Sequence, residues 1–150
     1  METFHIERYR KLLGMNLDFV QDNISRSSKN VLRGMHFQRN YPQGKIVKAS
    51  RGEILDVIVD LRKDSPTYGT WESFKLSEQN KLQVWIPPGL AHGFLVMSDS
   101  ADFEYKCTEY YHPEDEHCLM WNDPEVAIDW PINDPILSEN DKRGLSLKDL

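Results

Sequence analysis

Val31-Leu32-Arg33-Gly34-Met35-His36-Phe37-Gln38-Arg39-Asn40-Tyr41-Pro42-Gln43-Gly44-Lys45-Ile46-Val47-Lys48 sets an arginine, a histidine, an amide and a lysine among apolar residues. Run as a strand from Val31 to Gln38, side chains alternate faces, so Arg33 and Met35 point one way while Leu32, Gly34 and His36 point the other. A lone strand histidine is ordinarily a hydrogen-bonded structural residue. Chemistry at His36 therefore needs partners from elsewhere in the chain.

Downstream of this stretch the pattern is strand after strand: 44–50, 53–61, 71–76, 82–86, 93–97 and 101–110. The breaks between them carry Gly, Pro, Asn or Asp, as in Arg51-Gly52, Asp64-Ser65-Pro66 and Pro87-Pro88-Gly89. Short strands so spaced predict an antiparallel sandwich or barrel. Ile54-Leu55 and Val57-Ile58-Val59 are apolar on both faces, which suits strands covered by a second sheet or a partner chain, and a homodimer is expected. Upstream, Phe4 to Leu13 has near-helical apolar spacing with Gly14 placed to stop a short helix. Residues 16–23 read as a strand, with Gln21 and Asn23 on one face, and 25–30 as a loop. After Tyr111 four prolines break any long element, yet Leu119, Met120, Trp121, Ile128, Trp130, Ile132, Ile136 and Leu137 are too apolar to float free. An irregular C-terminal wrap around the barrel is expected. No repeat or linker divides the 150 residues, so one domain is predicted, able to bury roughly 70% of its unfolded surface.

Composition narrows the function. A net charge of -6 argues against nucleic-acid binding, which rests on clustered Lys and Arg, but leaves an anionic small ligand possible if a few cations converge. No apolar run approaches the roughly 20 residues of a membrane helix. Met1 to Arg10 carries Glu2, Glu7, Arg8 and Arg10, so no signal-peptide core can be drawn, and a soluble, cytoplasmic protein is expected. Cys107 and Cys118 lack metal-ligand spacing and are expected as free, buried thiols.

A metal-dependent barrel is the obvious rival for the chemistry. Such sites need two or three imidazoles plus a carboxylate, often with two histidines one residue apart on a strand. Here Phe37 and Gln38 follow His36. His92, in Pro87-Pro88-Gly89-Leu90-Ala91-His92-Gly93-Phe94, resembles the second sequence box of the cupins, but the histidine pair of the first box is absent. No metal is expected. His36 could instead serve as a general base if a carboxylate orients it and an acid lies across the pocket. Tyr105 has nearby cations that could lower its pKa. From spacing alone, however, it is a strand tyrosine, Tyr110 and Tyr111 are core or rim aromatics, and Asp141 is a solvated loop charge.

Taken together, Phe19-Val20-Gln21-Asp22-Asn23, Val31 to Gln38, Gln43-Gly44-Lys45, Trp85 to Phe94, Tyr105-Lys106-Cys107-Thr108-Glu109-Tyr110-Tyr111 and Leu137-Ser138-Glu139-Asn140-Asp141 resemble the dTDP-4-dehydrorhamnose 3,5-epimerase family. The resemblance implies a mostly β, cupin-type jelly roll, dimeric and free of cofactors. It implies inversion of carbons 3 and 5 of dTDP-4-dehydro-6-deoxyglucose to give dTDP-4-dehydro-L-rhamnose. On this pattern His36 is the base, Asp141 holds and polarises its imidazole, Tyr105 protonates the opposite face, and Lys45 lies near the ketone oxygen. Arg33 and His92 resemble substrate contacts, Gln21, Asp22 and Asn23 a binding strand, Tyr111 the aromatic that stacks on the thymine, and Glu116 and Glu2 further binding positions. Two departures stand out. The family carries a segment before Glu2 with an Asp-x-Arg-Gly-Phe-type stretch, whose arginine reaches the neighbouring subunit's substrate, and a lysine where this chain has Asn140. A single-carbon epimerase and a noncatalytic sugar-nucleotide binder are the alternatives.

Overall fold

Strand pairing organises the molecule. The computed structural model covers Met1 to Leu150 and contains α1 (Ile6–Leu13), β1 (Gln21–Ser28), β2 (Leu32–Gln38), β3 (Lys45–Arg51), β4 (Glu53–Asp60), β5 (Trp71–Ser77), β6 (Val84–Ile86), β7 (Leu90–Val96), β8 (Ser100–Cys107) and β9 (Glu116–Cys118). Two antiparallel sheets result, one in the order β1-β8-β3-β6 and the other β5-β4-β7-β2-β9. This is the expected jelly-roll sandwich with one short helix, which ends at Gly14 in the left-handed conformation.

Two apolar cores flank the second sheet. Between the sheets lie Val47, Ala49, Ile86 and Phe103 from the first and Ile54, Leu76, Phe94 and Val96 from the second. On the outer face, Leu32, Met35, Val57, Val59 and Leu95 pack against Leu119, Val126, Trp130 and Leu147 of the C-terminal wrap. The wrap is thus a second cover, as its apolar content requires; Ile136 alone of the eight expected contacts is more than half exposed. Both faces of β4 are occupied within one chain: Ile54 faces the first sheet, and Val57 and Val59 face the wrap. Its two-sided apolarity needs no partner chain.

Three expectations are corrected. Residues 25–28 are strand, not loop: β1 pairs with β8 without a break from Gln21↔Cys107 to Ser28↔Ser100. Backbone pairing does not require apolar side chains, and Arg26 adds a two-pronged ion pair with Asp102 at 2.6 and 2.8 Å. The tail contains one further strand, β9, paired to β2 through His36↔Cys118, Phe37↔His117 and Gln38↔Glu116. The third correction concerns β2, whose alternation breaks.

On β2, Arg33 pairs with Phe94 and His36 with His92, so three steps on one strand match two on the other. The extra residue is a β-bulge, which re-aims side chains. Leu32 and Met35 consequently enter the same outer core, while Arg33 and His36 share the inner face. Gly34 permits it. Its φ is 127°, and a Cβ there would lie 2.6 Å from the Gly93 Cα and 2.8 Å from the His92 carbonyl oxygen.

Candidate active site

The bulge opens onto a cavity of about 320 Å³ lined by Asn23 and Ser25 of β1, Arg33 and His36 of β2, Lys45 of β3, His92 and Phe94 of β7, and Phe103 and Tyr105 of β8. His36 and Tyr105 come from different sheets, so an imidazole and a phenol reach the space between them from opposite walls. The volume lies at the small end of the range for ligand pockets. A groove of similar size, lined by Phe37, Arg39, Lys63 and Tyr68 among others, contains no histidine and no Asp or Glu side chain.

His36 is held from behind. Its Nε2 lies 2.6 Å from Oδ1 of Asp141, which is buried. The Ser138 hydroxyl donates to the other carboxylate oxygen at 2.8 Å and accepts the Asp141 backbone N–H at 3.1 Å. Far from being a solvated loop charge, Asp141 is locked in a short 3-10 turn (Asp141–Arg143) that the wrap delivers beside β2. On the other ring nitrogen, Nδ1 is 3.8 Å from the Glu116 carboxylate.

These contacts set the protonation states. Burial alone would lower the His36 pKa, but hydrogen bonds and charge from Asp141 and Cys118 outweigh it and push it up to about 10. The Asp141 carboxylate, 2.6 Å from Nε2, holds the imidazole proton. Burial likewise raises Asp141, yet the His36 hydrogen bond and charge, with Ser138, bring it below an ordinary carboxylate. Tyr105 corrects an expectation: burial pushes its phenol up to about 12, with Cys107 and Glu116 adding to the rise and only Arg33 opposing it. Desolvation outweighs the cation. Lys45, 5.7 Å from the centre of the Tyr105 ring, is also lowered by burial, partly offset by Cys107, Glu116 and Asp56.

At the rim, the Tyr111 hydroxyl donates to Glu116 at 3.2 Å and its backbone N–H donates to the Gln21 side chain at 2.9 Å. Gln21 in turn donates to Asn23 at 3.1 Å, the shared face its spacing predicted. Two expected site residues are not brought to this cavity. Asp22 points to the opposite face of β1, where Lys106 binds both its oxygens at 2.9 Å, and Glu2 sits at the surface against Arg8 at 2.6 Å.

Three neighbours escaped the sequence reading. Asp56, fully buried, lies 2.6 Å from Nε2 of His92, and its second oxygen has no partner. The available signal was one acid inside the apolar run Ile54 to Val59. Ser138 had a Ser-x-x-Asp spacing. Cys118 had no signal at all; it stands beside His36 only because β9 pairs with β2, and it is half-buried where a buried thiol was expected.

With the geometry in view, comparison with known proteins is decisive. The family model described as dTDP-4-dehydrorhamnose 3,5-epimerase matches residues 1–149. The chain belongs to that family. It is 52% identical over 151 residues to the dTDP-4-dehydrorhamnose 3,5-epimerase of Escherichia coli, covering 99% of this chain and 82% of the relative. Against the Pseudomonas aeruginosa enzyme of the same name it is 50% identical over 149 residues, with the same coverages of 99% and 82%. Among solved structures, that of dTDP-6-deoxy-D-glucose-3,5-epimerase from Legionella pneumophila, in complex with dTDP-4-keto-L-rhamnose, superposes with a TM-score of 0.95 at 52% identity. It covers 98% of this chain and 79% of that one. An epimerase family thus carries this fold, and no helix here is long and apolar enough to cross a membrane.

Proposed function

We propose that this chain inverts carbons 3 and 5 of dTDP-4-dehydro-6-deoxyglucose, giving dTDP-4-dehydro-L-rhamnose, without a cofactor. The substrate is inferred from the relatives. The chemistry is inferred from the cavity, and one observation carries it: a carboxylate-backed imidazole and a phenol held in its protonated form approach one space from opposite sheets.

Carbons 3 and 5 both flank the ketone at carbon 4, so each carries an acidified C–H. His36, with Nε2 engaged by Asp141, takes the proton at Nδ1, and the electron pair of the broken C–H bond moves into an enolate on the ketone oxygen. The Lys45 ammonium neutralises that charge, a preorganised arrangement of the kind that supplies much of an enzyme's barrier lowering. Tyr105 then gives its proton to the same carbon from the other face; the phenolate regains one from solvent and the imidazolium of His36 releases its own to solvent, which resets both groups for the next carbon. Inversion requires two groups, since one base alone would return the proton to the side it left. Arg33, His92, Gln21, Asn23, Tyr111 and Glu116 hold the substrate, with Tyr111 offering a flat platform for the thymine. Asp22 and Glu2 would act only outside the cavity. A cytoplasmic homodimer completes the reading, supported by the open edge of β1 and by exposed Val20 and Ile24 beside it.

The test is mass spectrometry of dTDP-4-dehydro-6-deoxyglucose incubated with the protein in deuterium oxide. Two deuterons per sugar are expected with the parent chain, and none with His36→Ala or Asp141→Asn. Wild-type exchange in either variant overturns the assignment, and a single deuteron in the parent reduces the activity to one carbon.

A further inference from the structure

We propose that His36, Cys118 and Asp141 together form an inhibitory site for a thiophilic divalent cation of the zinc type. One donor atom from each side chain lies within 4.8 Å of the other two, and they combine imidazole, thiol and carboxylate. That donor set suits zinc, whereas magnesium and calcium prefer all-oxygen shells. Three protein ligands with the fourth position left to water is the usual open zinc arrangement.

The fit needs only small movements. Ligand atoms about 2.0 to 2.3 Å from a tetrahedral zinc stand roughly 3.3 to 3.6 Å apart. The His36–Asp141 contact of 2.6 Å must open by less than an ångström, on the order of a bond-length adjustment. The thiol must close from at most 4.8 Å. Cys118 ends a three-residue strand at the edge of its sheet, and Asp141 opens a three-residue turn, so neither is clamped by a long ladder. The proton balance is simple: the thiol loses its proton to solvent as the sulfur–metal bond forms, any proton on His36 leaves with it, and no redox change occurs.

The inhibitory consequence rests on His36 being the base; the binding itself does not. With the cation on Nε2, the neutral imidazole carries its one proton on Nδ1, which leaves no lone pair there for a carbon-bound proton, so exchange stops and a chelator restores it. Spectroscopy and activity separate the two ideas. Cobalt(II) added to chelator-treated protein is expected to give a near-ultraviolet thiolate-to-cobalt band that zinc abolishes, in the parent and in Cys107→Ser but not in Cys118→Ser. For Cys118→Ser, which keeps the size and polarity at that position, the half-inhibitory zinc concentration, read relative to that variant's own zinc-free rate, is expected to rise at least about tenfold. A direct ligand should cost no less than the roughly 10–100-fold of an outer-shell change. Magnesium should do nothing. Absence of the cobalt band in the parent protein, or equal zinc sensitivity of parent and Cys118→Ser, overturns the site. If the parent proves unable to exchange substrate protons, the cobalt band still decides the binding, and deuterium incorporation separately decides the function.

Discussion

The proposed role of His36 carries an apparent conflict: a base must be neutral, yet Asp141 favours the imidazolium. The resolution is a trade between population and strength, because the small neutral fraction near pH 7 is a stronger base than ordinary histidine. The sign follows from the raised pKa. Below about 6.5, the unfolded value, the pairing contributes its full stability to the fold. That contribution is lost as pH rises through about 10, the range in which the catalytic form accumulates. The phenol of Tyr105 keeps its proton until about 12, so it does not cap the rise. Hence kcat/KM, measured by product formation in matched ionic strength, should climb above pH 7, approaching tenfold per unit, until the lowered titration of Lys45 removes the ammonium that faces the enolate. A bell centred near neutrality would show that the pair does not titrate this way. At this scale the sequence offered residue types and the family pattern, while the direction of the Tyr105 shift depended on burial, which no local spacing encodes.

Among the elements, β2 matters most, and its departure from simple alternation is what makes a site. An unbroken strand would have sent Arg33 and His36 to opposite faces; the bulge opposite β7 turns both inward. Gly34 is the hinge of that arrangement, since any Cβ meets backbone atoms of β7 rather than a flexible side chain. Gly34→Ala is therefore expected to cost several kcal/mol, on the order of an overpacked core position with added positive-φ strain. Thermal melts should drop by more than about 10 °C, with deuterium exchange lost even at temperatures where the variant remains folded. A melt within a degree of the parent would mean that the strand can slide away from β7 without harm. Strand existence was legible from the alternating pattern and its Gly/Pro punctuation. The bulge, the extension of β1 through its polar end and the short β9 were not, because each is fixed by the register of a distant partner.

For the whole molecule, the C-terminal wrap has two roles that cannot be separated: it covers the second core with Leu119, Trp130 and Leu147, and it delivers Asp141 to His36 across 105 residues of sequence. That coupling makes the His36 imidazole sensitive to packing far from the cavity. At β1 the four-stranded sheet has an open edge, where Ile24 is 66% exposed. Unpaired edges invite partners. Sedimentation velocity should find a particle of twice the 17.6 kDa chain mass, and Ile24→Lys should shift it toward a single chain. A parent sedimenting as a monomer at micromolar concentration would refute the dimer.

The sequence by itself determined the strand-rich class, the helix stop at Gly14, the apolar wrap and the family to which the chain belongs. All of these are carried by local periodicity, turn residues or contiguous motifs. Only the tertiary structure decided that Arg33 and His36 converge, that Asp22 faces away from the cavity, that Asp56 backs His92 and Ser138 backs Asp141, and that Cys118 stands beside His36. Those facts arise from strand register and from a tail folded across the sheet. They are relations between residues tens of positions apart, fixed by packing and backbone pairing rather than by any neighbour in the chain.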